Sequence, residues 1–259
     1  MLLRTLRRDQ LETRVFDTRA EAGSAAARDI SAAIRQLLGK KDHVSMIFAA
    51  APSQNETLAA LRADAGIPWN RIRAYHMDEY IGLPENAPQR FANFLKNALF
   101  DHVPLAEVHL IGSAASAADE AKRYAALLAA DPADIVCMGI GENGHIAFND
   151  PHEADFNDPE AVKEVRLDET CRMQQVHDGC FPSLDAVPKT ALTLTVPALA
   201  AARYHFCTVP AASKAEAVKN TVFGNIGEAC PATVMRLWPG SVMYCDRESG
   251  NYLLKTGDA

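Results

Sequence analysis

Nowhere does this chain gather the ~20 consecutive apolar residues that a membrane-spanning helix needs, so a helical membrane protein is not expected. It also lacks any Cys-x-x-Cys pair. Its six cysteines (Cys137, Cys171, Cys180, Cys207, Cys230 and Cys245) are scattered, which argues against a zinc ribbon and against a disulfide framework. Several sit in apolar runs such as Ile135-Val136-Cys137-Met138, where a free thiol packs as a small hydrophobe. The start, MLLRTLRRDQ, lacks the apolar core of an export signal, and with the dispersed thiols this points to a reducing cytoplasm. The eight histidines are dispersed too, none at metal-ligand spacing with a cysteine, so no metal is expected. An excess of basic charge is missing as well. With 26 Lys and Arg against 33 Asp and Glu, the net charge of −7 argues against nucleic acid as a partner. Arg4, Arg7 and Arg8 form a basic start too short to build a DNA-binding module.

What the 259 residues do contain is a steady alternation of helical and extended patterns, with no internal repeat, low-complexity linker or charge block. Residues 19–39 have amphipathic helical spacing, with Asp17 or Thr18 to cap the start and Gly39 to end it. Apolar runs at 43–50, 71–76, 108–111, 134–140, 190–196, 204–209 and 241–245 predict strands. Helical spacing at 54–65, 87–99, 115–129 and 212–220 fills the gaps. Strands alternating with helices imply right-handed crossovers and an α/β fold with a doubly wound, mainly parallel sheet, expected to form one domain over 1–259. In such sheets ligands sit beyond the carboxyl ends of the strands. Three segments leave such ends: Ala51-Pro52-Ser53-Gln54-Asn55, Met77-Asp78-Glu79-Tyr80, and Gly139 to Asp150.

The third of these, GIGENGHIAFNDP at 139–151, carries the strongest signal. Gly141 and Gly144 permit tight turns and close backbone approach to a ligand, and Asn143 and Asp150 flank His145 with groups able to fix its tautomer. The glycines do not form a dinucleotide fingerprint, because no long helix opens at the third glycine and no acidic residue follows at the right distance. Asp78 at a strand end is a candidate general base, set against the ordinary alternative that Asp78 and Glu79 merely cap a turn. Lys214 starts a helix, where its charge opposes the helix dipole unless an anion such as phosphate is held at the same end. His76, His109 and His205 lie in apolar runs and are expected to be packing residues.

His76-Met77-Asp78-Glu79-Tyr80-Ile81-Gly82-Leu83-Pro84 together with Gly139 to Pro151 resembles the glucosamine-6-phosphate deaminase/isomerase family, and the likeness continues through Val187-Pro188-Lys189-Thr190-Ala191-Leu192-Thr193 and Ser213-Lys214-Ala215. The resemblance implies a modified Rossmann-like fold and a cofactor-free, metal-free conversion of an amino-sugar 6-phosphate to a ketose 6-phosphate plus ammonia. It implies Asp78 as the base moving a proton between C2 and C1, and His145 as the group that opens the sugar ring. Asn143 and Asp150 fall where the family usually has aspartate and glutamate carboxylates orienting that histidine. Ser53, Gln54, Asn55, Glu79, Gly144 and Lys214 are the implied substrate-binding positions, with Lys214 toward the phosphate. The chain departs from the family's glycine-rich phosphate turn at Pro52 to Thr57. It has no matching arginine near Asp178-Gly179-Cys180-Phe181, Arg172 lying several residues too early. His152 to Phe156 replace the segment that forms an activator site in some members. The expected partner is a small sugar phosphate; self-association, the sugar epimer and the direction of reaction are left open. The alternatives are a 6-phosphogluconolactonase-type hydrolase, in which His145 would activate water, and a non-catalytic sugar-phosphate sensor.

Overall fold

The computed structural model describes residues 1–112 and 116–255. Its framework is a sheet of eight strands in the order β1-β2-β11-β10-β7-β3-β4-β6. The inner strands are β3 (Val44–Phe48), β7 (Ile135–Met138) and β10 (Tyr204–Val209), with β11 (Ser241–Cys245) and β4 (Ile72–His76) beside them. Every residue of β3 and β7 is buried. Continuous apolar runs of this kind fit strands covered on both faces, as parallel strands with helical crossovers must be. All neighbouring pairs from β2 (Leu11–Phe16) to β6 (Glu107–His109) are parallel. Only β1 (Leu2–Arg8), which pairs with β2, runs antiparallel.

The helices cover the sheet. Thr18 caps α1 (Arg19–Leu38), its hydroxyl accepting from Glu21 N while the Glu21 carboxylate accepts from Thr18 N, a reciprocal capping box. The buried stripe Ala22, Ala26, Ile30, Ile34 and Leu37 joins Met46, Phe48 and Ile135 in one core. α2 (Asn55–Ala63), α3 (Phe91–Ala98) and α4 (Ala117–Ala130) follow β3, β5 (Asp78–Tyr80) and β6. On the other face Val136, Met138, Val218 and Trp238 belong to a second core.

The expected strands and helices are present with ends shifted by a few residues, but several elements were not foreseen. Ala115, assigned above to a helix start, lies outside the described residues; α4 is capped by Ser116. The run 190–196 is shorter than expected and leaves the main sheet. β9 (Thr190–Leu194) lies between β5 and β8 (Val162–Arg166) in a separate antiparallel sheet, and Val196 already begins α6 (Val196–Ala200). The 212–220 helix begins as a 3-10 turn at Ala212–Lys214 and continues as α7 (Ala215–Phe223). α5 (Glu169–His177) and the terminal α8 (Asn251–Lys255) complete the described elements.

The order of strands locates the site. From β3 the chain steps outward to β4 and β6, then returns to β7 on the other side of β3 and steps outward again through β10 and β11. The direction reverses between β3 and β7, so their following loops part and leave a crevice at the carboxyl ends.

Candidate active site

Residues from four carboxyl-end segments line that crevice: 49–53 after β3, Met77 and Asp78 after β4, 139–141 with His145 after β7, and Pro210, Ala211, Ser213 and Lys214 after β10. Their convergence follows from the strand order. Phe91 and Phe148, stacked at 5.6 Å between ring centroids, add an apolar wall.

On one side stands His145, 7% exposed. Its Nδ1 lies 2.8 Å from Asn143 Oδ1 and 3.0 Å from Asp150 Oδ1. Both neighbours are acceptors there, since Asn143 Nδ2 donates to Asp150 Oδ1 at 2.9 Å and Asn143 Oδ1 also accepts from His145 N. Nδ1 therefore carries the proton, and in the neutral ring Nε2 keeps a lone pair for a ligand. Burial would push the Asp150 carboxyl up. The hydrogen bond and charge of His145, with hydrogen bonds from Asn143 and Cys171, outweigh burial and hold it below the ordinary carboxylate range. The ring needs Gly141, where a Cβ would come within 2.1 Å of His145 Cε1. Gly144, at φ +82°, makes the turn that returns the chain to the ring, and a Cβ there would strike Cys230 Sγ at 2.5 Å.

Asp78 faces the same crevice from β5 and is 7% exposed. Burial, and then the neighbouring charge of Glu79, push its carboxyl well above the ordinary range. A carboxylate kept basic in this way is suited to abstracting a proton near neutral pH.

Another part of the lining is suited to an anion. Lys214 is 5% exposed, and its Nζ is buried with no hydrogen-bond partner among the described residues. Burial lowers its basicity, while the charges of Asp178 and Glu142 oppose that shift. Ser53 lines the crevice from the 3-10 turn Pro52–Gln54 that leads into α2. Two cleft residues hold backbone conformations that side chains rarely adopt: Ala147 at φ +48° and Ala211 at φ +87°, the latter tied by its N–H to Asp246 Oδ2 at 3.0 Å. Such strain collects where a loop is held for a ligand.

Several expected contacts are absent from this crevice. Glu79 points away from it. Its carboxylate accepts from the N–H groups of Tyr80, Phe91 and Ala92 and faces Arg90 Nε at 3.3 Å, so it anchors the start of α3. The reason is strand alternation: adjacent residues in β5 face opposite sides, so only one of Asp78 and Glu79 can reach the ligand. Gln54 turns inward, donating to Ser53 Oγ and Thr208 O, and Asn55 is exposed on α2. Neither lines the crevice or crowds the turn. Gly144 shapes the His145 loop without lining the cleft. Arg172 is committed to the carbonyls of Leu184 and Val187. His76 and His205 are packing residues as expected, buried with Nε2 engaged by Ile111 N and by Leu199 O respectively.

Other lining residues escaped the sequence. Arg19 reaches the mouth from α1, with Nε 2.7 Å from Glu56 Oε1 and Nη2 donating to Pro52 O. Gln174, Gln175 and Asp178 come from α5 and its end. No local pattern marks them, because each enters through a contact between distant segments.

His145, Asp150 and Cys171 bring ligand-type atoms within 4.8 Å of one another, and Asp150, His152 and Asp168 form a second such group. Burial, then the charge of Asp150, push the Cys171 thiol well above its ordinary range.

The sequence pattern of the glucosamine-6-phosphate isomerases/6-phosphogluconolactonase family matches residues 17–243. The chain belongs to that family. Among its relatives is a glucosamine-6-phosphate deaminase of Bacillus thuringiensis (strain Al Hakam), 33% identical over 217 residues, covering 83% of this chain and 80% of the relative. A solved monomeric glucosamine-6-phosphate deaminase superposes with a TM-score of 0.83 at 27% identity, covering 92% of this chain and 98% of that one. The fold is also that of a 6-phosphogluconolactonase from Thermotoga maritima, with a TM-score of 0.73 at 18% identity, covering 90% and 98%. The mainly parallel sheet flanked by helices is thus the family's Rossmann-like architecture. No described helix is long and apolar enough to cross a membrane.

Proposed function

We propose that this protein converts a hexosamine 6-phosphate to the ketose 6-phosphate and ammonia, as a single sugar-phosphate isomerase/deaminase domain. The observation that carries this reading is the convergence of Asp78, His145 and Lys214 on one crevice, with a basic carboxylate, a tautomer-fixed imidazole and an unpartnered ammonium arranged around it.

The ring-closed sugar enters with its phosphate toward Lys214, Ser53 and the start of α2. His145 Nε2 accepts the proton of the C1 hydroxyl and returns it to the ring oxygen, so the ring opens to the aldehyde. Asn143 and Asp150 keep Nδ1–H in place, and the Asp150 charge stabilises the transient imidazolium. Asp78 then removes the C2 proton while the aldehyde oxygen takes one from solvent, giving an enolamine. The proton on Asp78 exchanges with solvent before it is delivered to C1, and the amine gives one up. The resulting C2 imine takes up water and releases ammonia, leaving the ketone. Acid–base groups of this kind each contribute roughly 10²–10⁴-fold.

The same crevice in a lactonase would need His145 to activate water but would leave Asp78 without a proton to take from carbon. The buried, basic state of Asp78 and the deaminase relative favour the amino sugar. Incubation with the 6-phosphates of glucosamine, galactosamine and mannosamine, and with 6-phosphogluconolactone, tests the reading. Ammonia formed in step with ketose phosphate supports it, and accelerated lactone loss without ammonia from any hexosamine phosphate overturns it.

A further inference from the structure

Lys214 shares the crevice lining with a carboxylate. Asp178, at the end of α5, lines the crevice beside Gln174, Ser213 and Lys214, and its Oδ2 accepts from Gln174 Nε2 at 3.4 Å. It does not neutralise the lysine directly, since Lys214 Nζ is without a hydrogen-bond partner among the described residues. Its charge nevertheless acts on Lys214, more strongly than any other influence except burial.

The surrounding charges sharpen the point. Glu142, from the loop after β7, also faces Lys214 and lies 3.7 Å from His177 Nδ1 on α5. Arg19, from α1, is engaged by Glu56 of α2. The partly buried Cys180 thiol stands beside Asp178 and is pushed up, by burial first and by Asp178 second. Asp78 and His145 line the same crevice. Of the other groups Arg19, Lys214 and Asp178 line it, so a dianion held by Lys214 would also face an acid with no proton to share.

We infer that Asp178 is a specificity-determining residue that admits the phosphate as its monoanion, one oxygen taking the Lys214 ammonium and the P–O–H group donating to the Asp178 carboxylate. This rests on the proposed function in assuming a phosphorylated ligand. A phosphate monoester loses its second proton near pH 6, so each unit above that leaves about tenfold less monoanion. Affinity for the phosphate falls accordingly as pH rises.

Glucitol 6-phosphate, which has no carbonyl and does not turn over, is the probe. Its Kd is measured by calorimetry on the full chain at pH 6 and pH 8, for the wild type and for Asp178→Asn. The amide keeps an acceptor for Gln174, and a thermal melt at each pH confirms folding. The expected result is at least about tenfold weaker wild-type binding at pH 8 than at pH 6, with Asp178→Asn binding more tightly than the wild type at pH 8 and nearly independently of pH. Equal wild-type affinities at the two pH values, or a variant that follows the wild-type profile, would overturn the inference while leaving the phosphate reading intact. Failure of both proteins to prefer glucitol 6-phosphate over glucitol would overturn the phosphate reading and this inference together.

Discussion

Asn143 Oδ1 stands 2.8 Å from His145 Nδ1, so the residue holding the imidazole is a neutral amide whose other end donates to Asp150. A carboxylate at 143 would keep the contact to the ring but meet Asp150 as a like charge. Two acids beside the ring favour its charged form. Asn143→Asp is expected to move the pH–rate profile for ammonia release toward alkaline pH. A profile that coincides with the wild type would mean that Asn143 plays no electrostatic part.

Asp78 is held in a setting that disfavours its charge, and this has a consequence for stability. Its folded pKa is raised above the unfolded value of about 4. The folded state therefore binds the proton more tightly, and stability is lost as pH rises from about 4 through the folded pKa. Asp78→Asn removes that loss. The variant is expected to melt higher than the wild type at pH 7, by ~2–4 °C for each kcal/mol recovered, with the gap closing near pH 4. A variant that melts lower at pH 7 would show that contacts of the carboxylate outweigh burial and the charge of Glu79.

Gly141→Ala tests the fit of loop and ring. The added Cβ would fall 2.1 Å from His145 Cε1, so the imidazole must swing away. A displacement near 1 Å at a reacting group costs about 10²-fold in rate. The expected outcome is a loss of that order in kcat, with binding of glucitol 6-phosphate retained. Unchanged kcat would show that the ring position does not govern the reaction.

Lys214→Ala removes the buried ammonium. A charge-assisted hydrogen bond is worth roughly 1.5–3 kcal/mol, or about one to two decades in affinity. Phosphorylated ligands are expected to weaken by that factor while unphosphorylated analogues change little. Equal weakening of both would assign Lys214 to the fold.

Much of this was legible in the sequence because local pattern and burial agree. The all-buried runs of β3 and β7 announced a parallel sheet, and Gly141, Asn143 and Gly144 announced a loop built around His145. What escaped depends on pairing or on distance. β1 is a charge-rich edge strand with mostly exposed residues, so its sequence resembles a solvated tail. β8 buries only Val162 and Val165, too few to set an alternation. Arg19 and Asp178 reach the cleft from α1 and α5, which no spacing in the chain links to Lys214. Glu79 follows the alternation of β5, which turns it away from Asp78.

The proposed reaction turns on the removal of a proton from substrate carbon by Asp78. It is tested most directly by running the reaction on the competent hexosamine 6-phosphate in deuterium oxide and examining the carbon-bound hydrogens by NMR. The wild type is expected to place deuterium at C1 of the ketose phosphate, and Asp78→Asn to show neither exchange nor ammonia although that variant still binds glucitol 6-phosphate. Persistent deuterium incorporation or ammonia release by Asp78→Asn would contradict it.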